Sequence, residues 1–236
     1  MALIAIGGNS GSGKSTAIRN LDPKETFIIQ TIPKPLPFKG WKTNYPILDK
    51  KTFEGNRYVV FENQWNDKDH NIKKQYMNAA TRIYNVLKKI HTDRKEIKQI
   101  IIDDSQYQMA FEIMARGNEV GYDKYSSIAF NFFNIMSQAT LISEELNIVF
   151  LHHTEVSDGI TKLKTSGKMF DNSVTLEGLF TIVLMTKMEA KDGKVEYKFM
   201  THSDGLNTVK SPIGMFEEDL IPNDLTIVFN KIKEYE

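Results

Sequence analysis

The sequence contains no cysteine among its 236 residues. This absence excludes disulfide bonds, thiolate chemistry and cysteine-ligated zinc, and it is what we expect of a cytoplasmic protein. The chain also lacks an apolar run of about 20 residues, the length that a membrane-spanning helix needs. Because no basic patch precedes an apolar stretch at its start, we expect no cleaved signal peptide and no membrane partner.

An excess of charge is lacking too, because 30 basic and 30 acidic residues give a formal net charge of zero. The molecule as a whole therefore has no general attraction to nucleic acid. The distribution is uneven, however, since five lysines between residues 31 and 51 face a single acid, Asp49. The pattern indicates either a basic groove on a neutral protein or an ordinary solvated face.

Short apolar runs alternate with stretches of helical spacing along the chain, which predicts a largely parallel sheet with helices on both faces. The length suits one α/β domain. We expect a single domain over residues 1–236, with a Pro/Lys-rich insertion at 31–51, a polar loop at 155–175 and a C-terminal tail and helix at 203–236. The predicted strands are 2–6, 27–30, 57–61, 99–104, 147–151, 179–186 and 195–200, and the predicted helices are 16–21, 70–91, 106–116, 123–147 and a last one capped by Asn223 or Asp224.

The most specific motif covers residues 8–15, Gly-Asn-Ser-Gly-Ser-Gly-Lys-Ser, which match the P-loop pattern G-x-x-x-x-G-K-[ST] without a mismatch. Its glycines allow the backbone to curl, so that successive N–H groups form an anion-binding nest. Lys14 is predicted to reach the β- and γ-phosphates, and Ser15 to place its hydroxyl on Mg²⁺. The sequence therefore predicts an ATP site, whose expected contacts are Gly8, Asn9, Ser10, Gly11, Ser12, Gly13, Lys14, Ser15 and Thr16.

Two acids follow the apolar run at 100–102. Asp103 has the Walker B position and is predicted to hold Mg²⁺, partly through the water that this ion retains. Asp104 is predicted to orient or deprotonate the attacking water, and the alternative is a carboxylate that caps the next helix. Glu62 and Glu112 are the other candidate bases.

The next predicted strand ends in His152 and His153, again at the edge where ligands of parallel sheets bind. We expect His152 to contact the γ-phosphate or its attacking water, and so to sense hydrolysis. Zinc is disfavoured, because neighbours on a strand point to opposite faces and no third ligand is evident.

Two lysine-rich segments remain. In the polar loop, Lys162, Lys164 or Lys168 is predicted to enter a neighbouring subunit's site as a finger in trans, unless this loop is simply solvated. In the Pro-rich segment, aromatic rings stand among lysines, a composition that suits sequence-tolerant binding of single-stranded DNA. The alternative is a loop that packs its own aromatic rings. The expected DNA contacts are Lys34, Phe38, Lys39, Trp41 and Lys42, with Tyr45 as a further stacking ring.

With these residues placed, the chain resembles the phage-encoded RecA-like ATPases of the AAA type that accompany single-strand annealing and recombination proteins. The resemblance rests on residues 8–15, 103–104, 150–154, 168–169 with 174–177, and the tail at 210–216 and 221–225. It implies a RecA-like P-loop NTPase fold and ATP with Mg²⁺, with Lys14, Ser15 and Asp103 in their usual roles. It also implies a homo-oligomeric ring or filament that acts on single-stranded DNA in the host cytoplasm with a phage annealing or single-strand-binding protein.

Two other functions fit the same motif. A nucleoside or nucleotide kinase shares the P-loop, but such enzymes carry an arginine-rich lid, and residues 155–175 contain no arginine. A nucleotide-gated scaffold with little turnover is the other alternative. Since Arg116 is the only arginine after Asp103, a lysine finger fits this chain better than an arginine finger.

Overall fold

The computed structural model describes residues 1–61, 79–166, 175–191 and 193–236. Its strands are β1 Leu3–Gly7, β2 Thr26–Gln30, β3 Arg57–Val59, β4 Gln99–Asp103, β5 Asn147–His152, β6 Thr154–Ser157, β7 Ile160–Leu163, β8 Ile182–Lys191, β9 Lys194–Met200 and β10 Leu220–Pro222. Its α-helices are α1 Trp41–Asn44, α2 Ala79–Asp93, α3 Tyr107–Ala115, α4 Asp123–Ile142 and α5 Leu225–Tyr235.

Eight strands form one sheet in the order β10-β9-β8-β1-β5-β4-β2-β3. From β8 to β3 each strand runs parallel to its neighbour, and β9 is antiparallel to both β8 and β10. Strand β5 lies between β1 and β4, with His152 opposite Gly7. The carboxyl ends of β1, β5 and β4 are therefore side by side, at the edge where ligands of such sheets bind.

Both faces of the sheet are buried. In β5, Ile148 and Phe150 belong to one core cluster while Val149 and Leu151 belong to the other, as the two-residue period of a strand requires. Helices α2 and α4 pack on the first face, and α5 packs on the second. The α/β fold with a mostly parallel sheet and helices on both faces, predicted from the sequence, is confirmed.

Of three local predictions, the structure corrects two and confirms one. The helix predicted at 16–21 is instead a 3-10 turn, Ser15–Ile18, because Pro23 and the start of β2 at Thr26 leave no length for further helical turns. The strand predicted from residue 179 begins at Ile182. The cap of the last helix is confirmed, since the Asp224 side chain accepts a hydrogen bond of 2.9 Å from the backbone N–H of Thr226.

Candidate functional site

The P-loop leaves the end of β1 and is closely packed against the neighbouring strands. The N–H of Gly8 donates to the carbonyl of His152 at 3.1 Å. A Cβ on Gly8 would lie 1.9 Å from Oγ1 of Thr186, so no larger residue fits there. Gly13 has a φ of +95°, a conformation that residues with a Cβ rarely adopt. The glycines thus give the loop its curl.

Lys14 folds back over this loop. Its Nζ donates to the carbonyl oxygens of Gly8 and Asn9, at 2.7 and 2.8 Å. Burial lowers the pKa of the ammonium to about 8, opposed by the nearby carboxylates of Asp104 and Asp103. The ammonium is therefore mostly charged at neutral pH, and it lies inside the loop that the sequence predicts to bind phosphate.

Ser15 and Asp103 meet across the sheet edge, as a shared magnesium site requires. The Ser15 hydroxyl donates to Oδ1 of Asp103 at 2.7 Å. Asp103 is 1% exposed, and no described residue makes a hydrogen bond to its Oδ2. Burial raises the pKa of this carboxyl, and the adjacent Asp104 carboxylate adds to that effect. A buried acceptor without a donor is costly, so the pair is suited to a cation or to the water that a cation holds.

Asp104 has an unusual backbone for a residue with a side chain, with a φ of +58°. Its carboxylate contacts the ammonium of Lys34 and lies 3.7 Å from Nε2 of His153. Burial alone would raise the pKa of Asp104, but hydrogen bonding to His153 and Lys34 outweighs it and lowers that pKa. Strained backbones of this kind cluster at functional sites, and this one directs an ionised carboxylate into the cleft.

His152 does not face the cleft, which corrects the prediction that it reads the γ-phosphate. The side chain is 1% exposed. Its Nε2–H donates to the carbonyl of Lys164 at 2.6 Å, and its Nδ1 accepts from the Ser105 hydroxyl at 2.7 Å. Burial lowers the pKa of this imidazole to about 4. Both nitrogens are engaged in the protein, and His153, on the opposite side of the strand, lines the cleft instead.

The predicted polar loop contains a β-hairpin, β6 paired with β7. Lys162 lies 3.7 Å from the Glu155 carboxylate, and the Lys164 side chain is exposed. Thr154 Oγ1 donates to Oδ1 of Asn9 at 3.3 Å, so the hairpin lies next to the P-loop. Lys168 lies outside the described residues. The hairpin position is compatible with a finger in trans, which stays a prediction.

The Pro-rich segment packs most of its aromatic rings, in agreement with the alternative considered for it. Tyr45 is 1% exposed, which rules out the stacking role suggested for it. Phe38 packs edge-on against Tyr45, and Arg57 covers one face of Trp41, 4.8 Å from the ring centroid. Of the five expected DNA contacts, two are exposed at the surface, Lys39 and Lys42.

Only one of the two alternative bases, Glu112, belongs to the part of the chain that the structure describes, and it does not line the cleft. Glu62 lies outside the described residues. Glu112 is buried between α3 and α4, where it accepts hydrogen bonds from Gln108, Arg116 and Asn131. Glu112 is therefore a structural carboxylate with both oxygens hydrogen-bonded, and Asp104 is the candidate base that the structure brings to the P-loop.

A cleft of about 350 Å³ joins these groups, and it is lined by Ser10, Gly11, Gly13, Lys14, Ser15, Thr16, Lys34, Pro35, Pro37, Asp104, His153 and Tyr197. A larger groove of about 470 Å³ lies between α2 and α4, with amide, hydroxyl and apolar side chains but no lysine, arginine or histidine among its described lining residues. The P-loop cleft is the candidate site, because it combines the curled glycine-rich loop with Lys14 and lies at the carboxyl edge of the parallel strands.

Five residues that line this cleft are not in the site predicted from the sequence: Lys34, Pro35, Pro37, His153 and Tyr197. Tyr197, on β9, packs against the P-loop, where its ring would be 2.9 Å from a Cβ on Gly13. The sequence favours His152 over His153, and it predicts Lys34 as a DNA contact. Strand alternation could have recovered His153 had the end of β5 been known, but nothing in the sequence indicates the positions of Tyr197 and Lys34.

Comparisons with known proteins add little to this description. No family model matches the chain, and no curated protein matches it. Among solved structures it is similar to the flagellar accessory protein FlaH of Methanocaldococcus jannaschii, with a TM-score of 0.42 and 16% identity over 84% of this chain and 76% of that one. So loose a likeness carries no argument about the function of this chain, which rests on the cleft itself.

Neither a membrane helix nor a multi-ligand metal cluster is found in the part of the chain that the structure describes. None of its helices is both long and apolar enough to cross a bilayer. In the same residues there is no group of three or more His, Asp or Glu side chains that could hold a metal ion.

Proposed function

We propose that this chain is a RecA-like P-loop ATPase that binds ATP with Mg²⁺ in the cleft and hydrolyses it. One observation carries the proposal: the curled loop with Lys14 and the Ser15–Asp103 pair meet at the same carboxyl edge of a parallel sheet. A motif match gains weight from its structural context, and the strand before the loop and the acid beside it support the assignment.

The loop residues would bind the phosphates. Residues 10, 11 and 13–16 line the cleft, and Lys14 holds its ammonium on two neutral carbonyl oxygens. A phosphate oxygen is a stronger acceptor for an ammonium than a carbonyl is. Lys14 therefore gains by transferring its hydrogen bonds to ATP.

The cation would be held by Ser15 Oγ and Asp103, whose Oδ2 accepts no hydrogen bond from a described residue. Magnesium prefers oxygen ligands, retains several waters and is commonly held by one or two carboxylates plus substrate phosphates. When bound, it would neutralise charge on the β- and γ-phosphate oxygens. The donor set of this chain fits that ion.

Asp104 and His153 would act at the γ-phosphate end. The Asp104 carboxylate is ionised and lies in the cleft, as a group that orients or deprotonates water must. His153, 3.7 Å from that carboxylate, is the histidine that can contact phosphate or the attacking water. We therefore propose that His153, rather than His152, contacts the γ-phosphate.

Titration calorimetry with Mg-ATP tests the proposal. We expect binding by the wild type and an affinity about 10- to 100-fold weaker in Lys14→Ala, since a charge-assisted hydrogen bond contributes roughly 1.5–3 kcal/mol. Lys24→Ala is the matched control, because Lys24 is exposed and is not among the lining residues described. No binding by the wild type, or equal binding by Lys14→Ala, would refute the assignment.

We further propose that hydrolysis serves single-stranded DNA, within a homo-oligomeric ring or filament in the phage-infected cytoplasm. The exposed Lys39 and Lys42, in the segment that also lines the cleft, support a backbone-tracking contact. The ATPase rate should rise when single-stranded DNA is added, and the effect should fall steeply with salt. ADP formation that depends on an added nucleoside and ignores DNA would favour the kinase alternative instead.

A further inference from the structure

The chain brings a second lysine to the phosphate cleft through the turn that follows β2. The backbone of this turn is fixed at several points. Thr31 N–H donates to the carbonyl of Asp103 at 3.1 Å, and Gln30 Nε2 donates to the carbonyl of Lys34 at 3.1 Å. Pro35, whose ring fixes its own φ, follows directly. The position of Lys34 is therefore set by the ends of β2 and β4.

The Lys34 side chain lies among the charges of the site. Its ammonium contacts Oδ2 of Asp104, and it is close enough to Lys14 and Asp103 to interact with both electrostatically. Burial opposes the charged form of Lys34, yet the carboxylates of Asp103 and Asp104 outweigh it and raise its pKa. The side chain is 39% exposed whereas Asp104 is 3% exposed, so the ammonium is accessible from the cleft.

We propose that Lys34 contacts the γ-phosphate from within the same chain, by moving its ammonium from Asp104 to the nucleotide. The inference rests on the proposed function and deepens it. Lys34 would supply in cis the cation that the sequence led us to expect from a neighbouring subunit's hairpin. The move would leave the Asp104 carboxylate free to face the attacking water. It would also make the position of residues 31–51 depend on whether the third phosphate is bound.

A purely structural salt bridge explains the position of Lys34 less well. The salt bridge is not needed to hold the turn. Gln30 Nε2 already donates to the carbonyl of Lys34, and the Thr31 N–H donates to the carbonyl of Asp103. A phosphate contact explains both the positive charge of Lys34 and its location in the cleft.

The test compares ATP with ADP by calorimetry, in magnesium, for the wild type and Lys34→Gln. We expect Lys34→Gln to weaken ATP about 10- to 100-fold while ADP changes less than about threefold, because only ATP has the third phosphate. Lys34→Ala is the second variant. Lys24→Gln is the control, and its ratio of ATP affinity to ADP affinity should equal that of the wild type. Since the ratio of affinities is taken within one variant, any loss of folded protein cancels.

Equal weakening of ATP and ADP, or no weakening, would overturn the inference and identify Lys34 as a structural residue. Failure of the proposed function gives a different result, since the wild type would then bind neither nucleotide. A loss confined to ATP in Lys34→Gln, with Lys24→Gln unchanged, supports Lys34 as a γ-phosphate ligand in cis.

Discussion

Acidification should destabilise this protein through one buried imidazole, His152. The ring is neutral in the folded chain. Its two nitrogens form hydrogen bonds with the hydroxyl of Ser105, the residue after the acidic pair, and with the carbonyl of Lys164 at the end of the hairpin. Its folded pKa is about 4, against 6.5 for an unperturbed histidine. As the pH falls below 6.5, the unfolded chain binds a proton that the folded chain does not, so the free energy of unfolding must decrease.

The magnitude follows from that difference. One pKa unit corresponds to about 1.4 kcal/mol, so lowering the pH from about 7.5 to about 4 should remove about 3 kcal/mol through His152 alone. About 2 kcal/mol of this is lost by pH 5. Almost no contribution is expected above about pH 7.5, because the imidazole is then neutral in both states. Since small domains have unfolding free energies of about 5–15 kcal/mol, the loss is measurable.

Urea unfolding at a series of pH values measures it. His152→Gln should be less stable than the wild type at neutral pH, because it loses both imidazole hydrogen bonds and the packing against Phe132. Between pH 6.5 and 4, the free energy of unfolding of this variant should nevertheless fall by about 3 kcal/mol less than that of the wild type. His202→Gln is the comparison variant, since it removes a histidine that is 42% exposed rather than buried. The same steepness in His152→Gln and the wild type would refute the reasoning.

Two further predictions concern the loop and the base. Gly8→Ala should lower the unfolding free energy by about 1–3 kcal/mol or displace the P-loop and weaken ATP binding, because its Cβ would clash with Thr186. Gly178→Ala, whose Cβ has no neighbour nearer than 3.9 Å, should be close to neutral in thermal melts, and equal effects would contradict this account. Asp104→Asn should bind ATP but hydrolyse it at least about tenfold more slowly, since asparagine accepts the left-handed backbone but cannot take a proton. An unchanged steady-state rate would show that the base lies elsewhere.

The central strands and the loop between them could be predicted because their signals are local. Strands β1, β4 and β5 are continuous apolar runs, as strands buried on both faces must be. The P-loop is a fixed spacing of glycine, lysine and serine. The cap at Asp224 depends only on the residues that follow it. Each of these features needs no knowledge of distant parts of the chain.

The errors concern features that depend on distant residues. Which histidine faces the cleft depends on how β5 pairs with β1, and the position of Lys34 beside the cleft depends on a turn held by Gln30 and Asp103. Tyr197 reaches the loop because β9 folds back beside β8. Residues 31–51 have a composition suited to nucleic acid, yet Tyr45 is buried in the core. Composition indicates what a segment can contact, but only packing determines what it does contact.

The alignment of β5 with β1 has a consequence for how mutations in this protein should be judged. A slip of one residue between these strands would exchange the two histidines, with the neutral, hydrogen-bonded ring turned toward solvent and its neighbour forced into the apolar interior. Changes that loosen the pairing, such as a glycine introduced within 147–151, would therefore damage the proposed nucleotide site without altering any residue that lines the cleft.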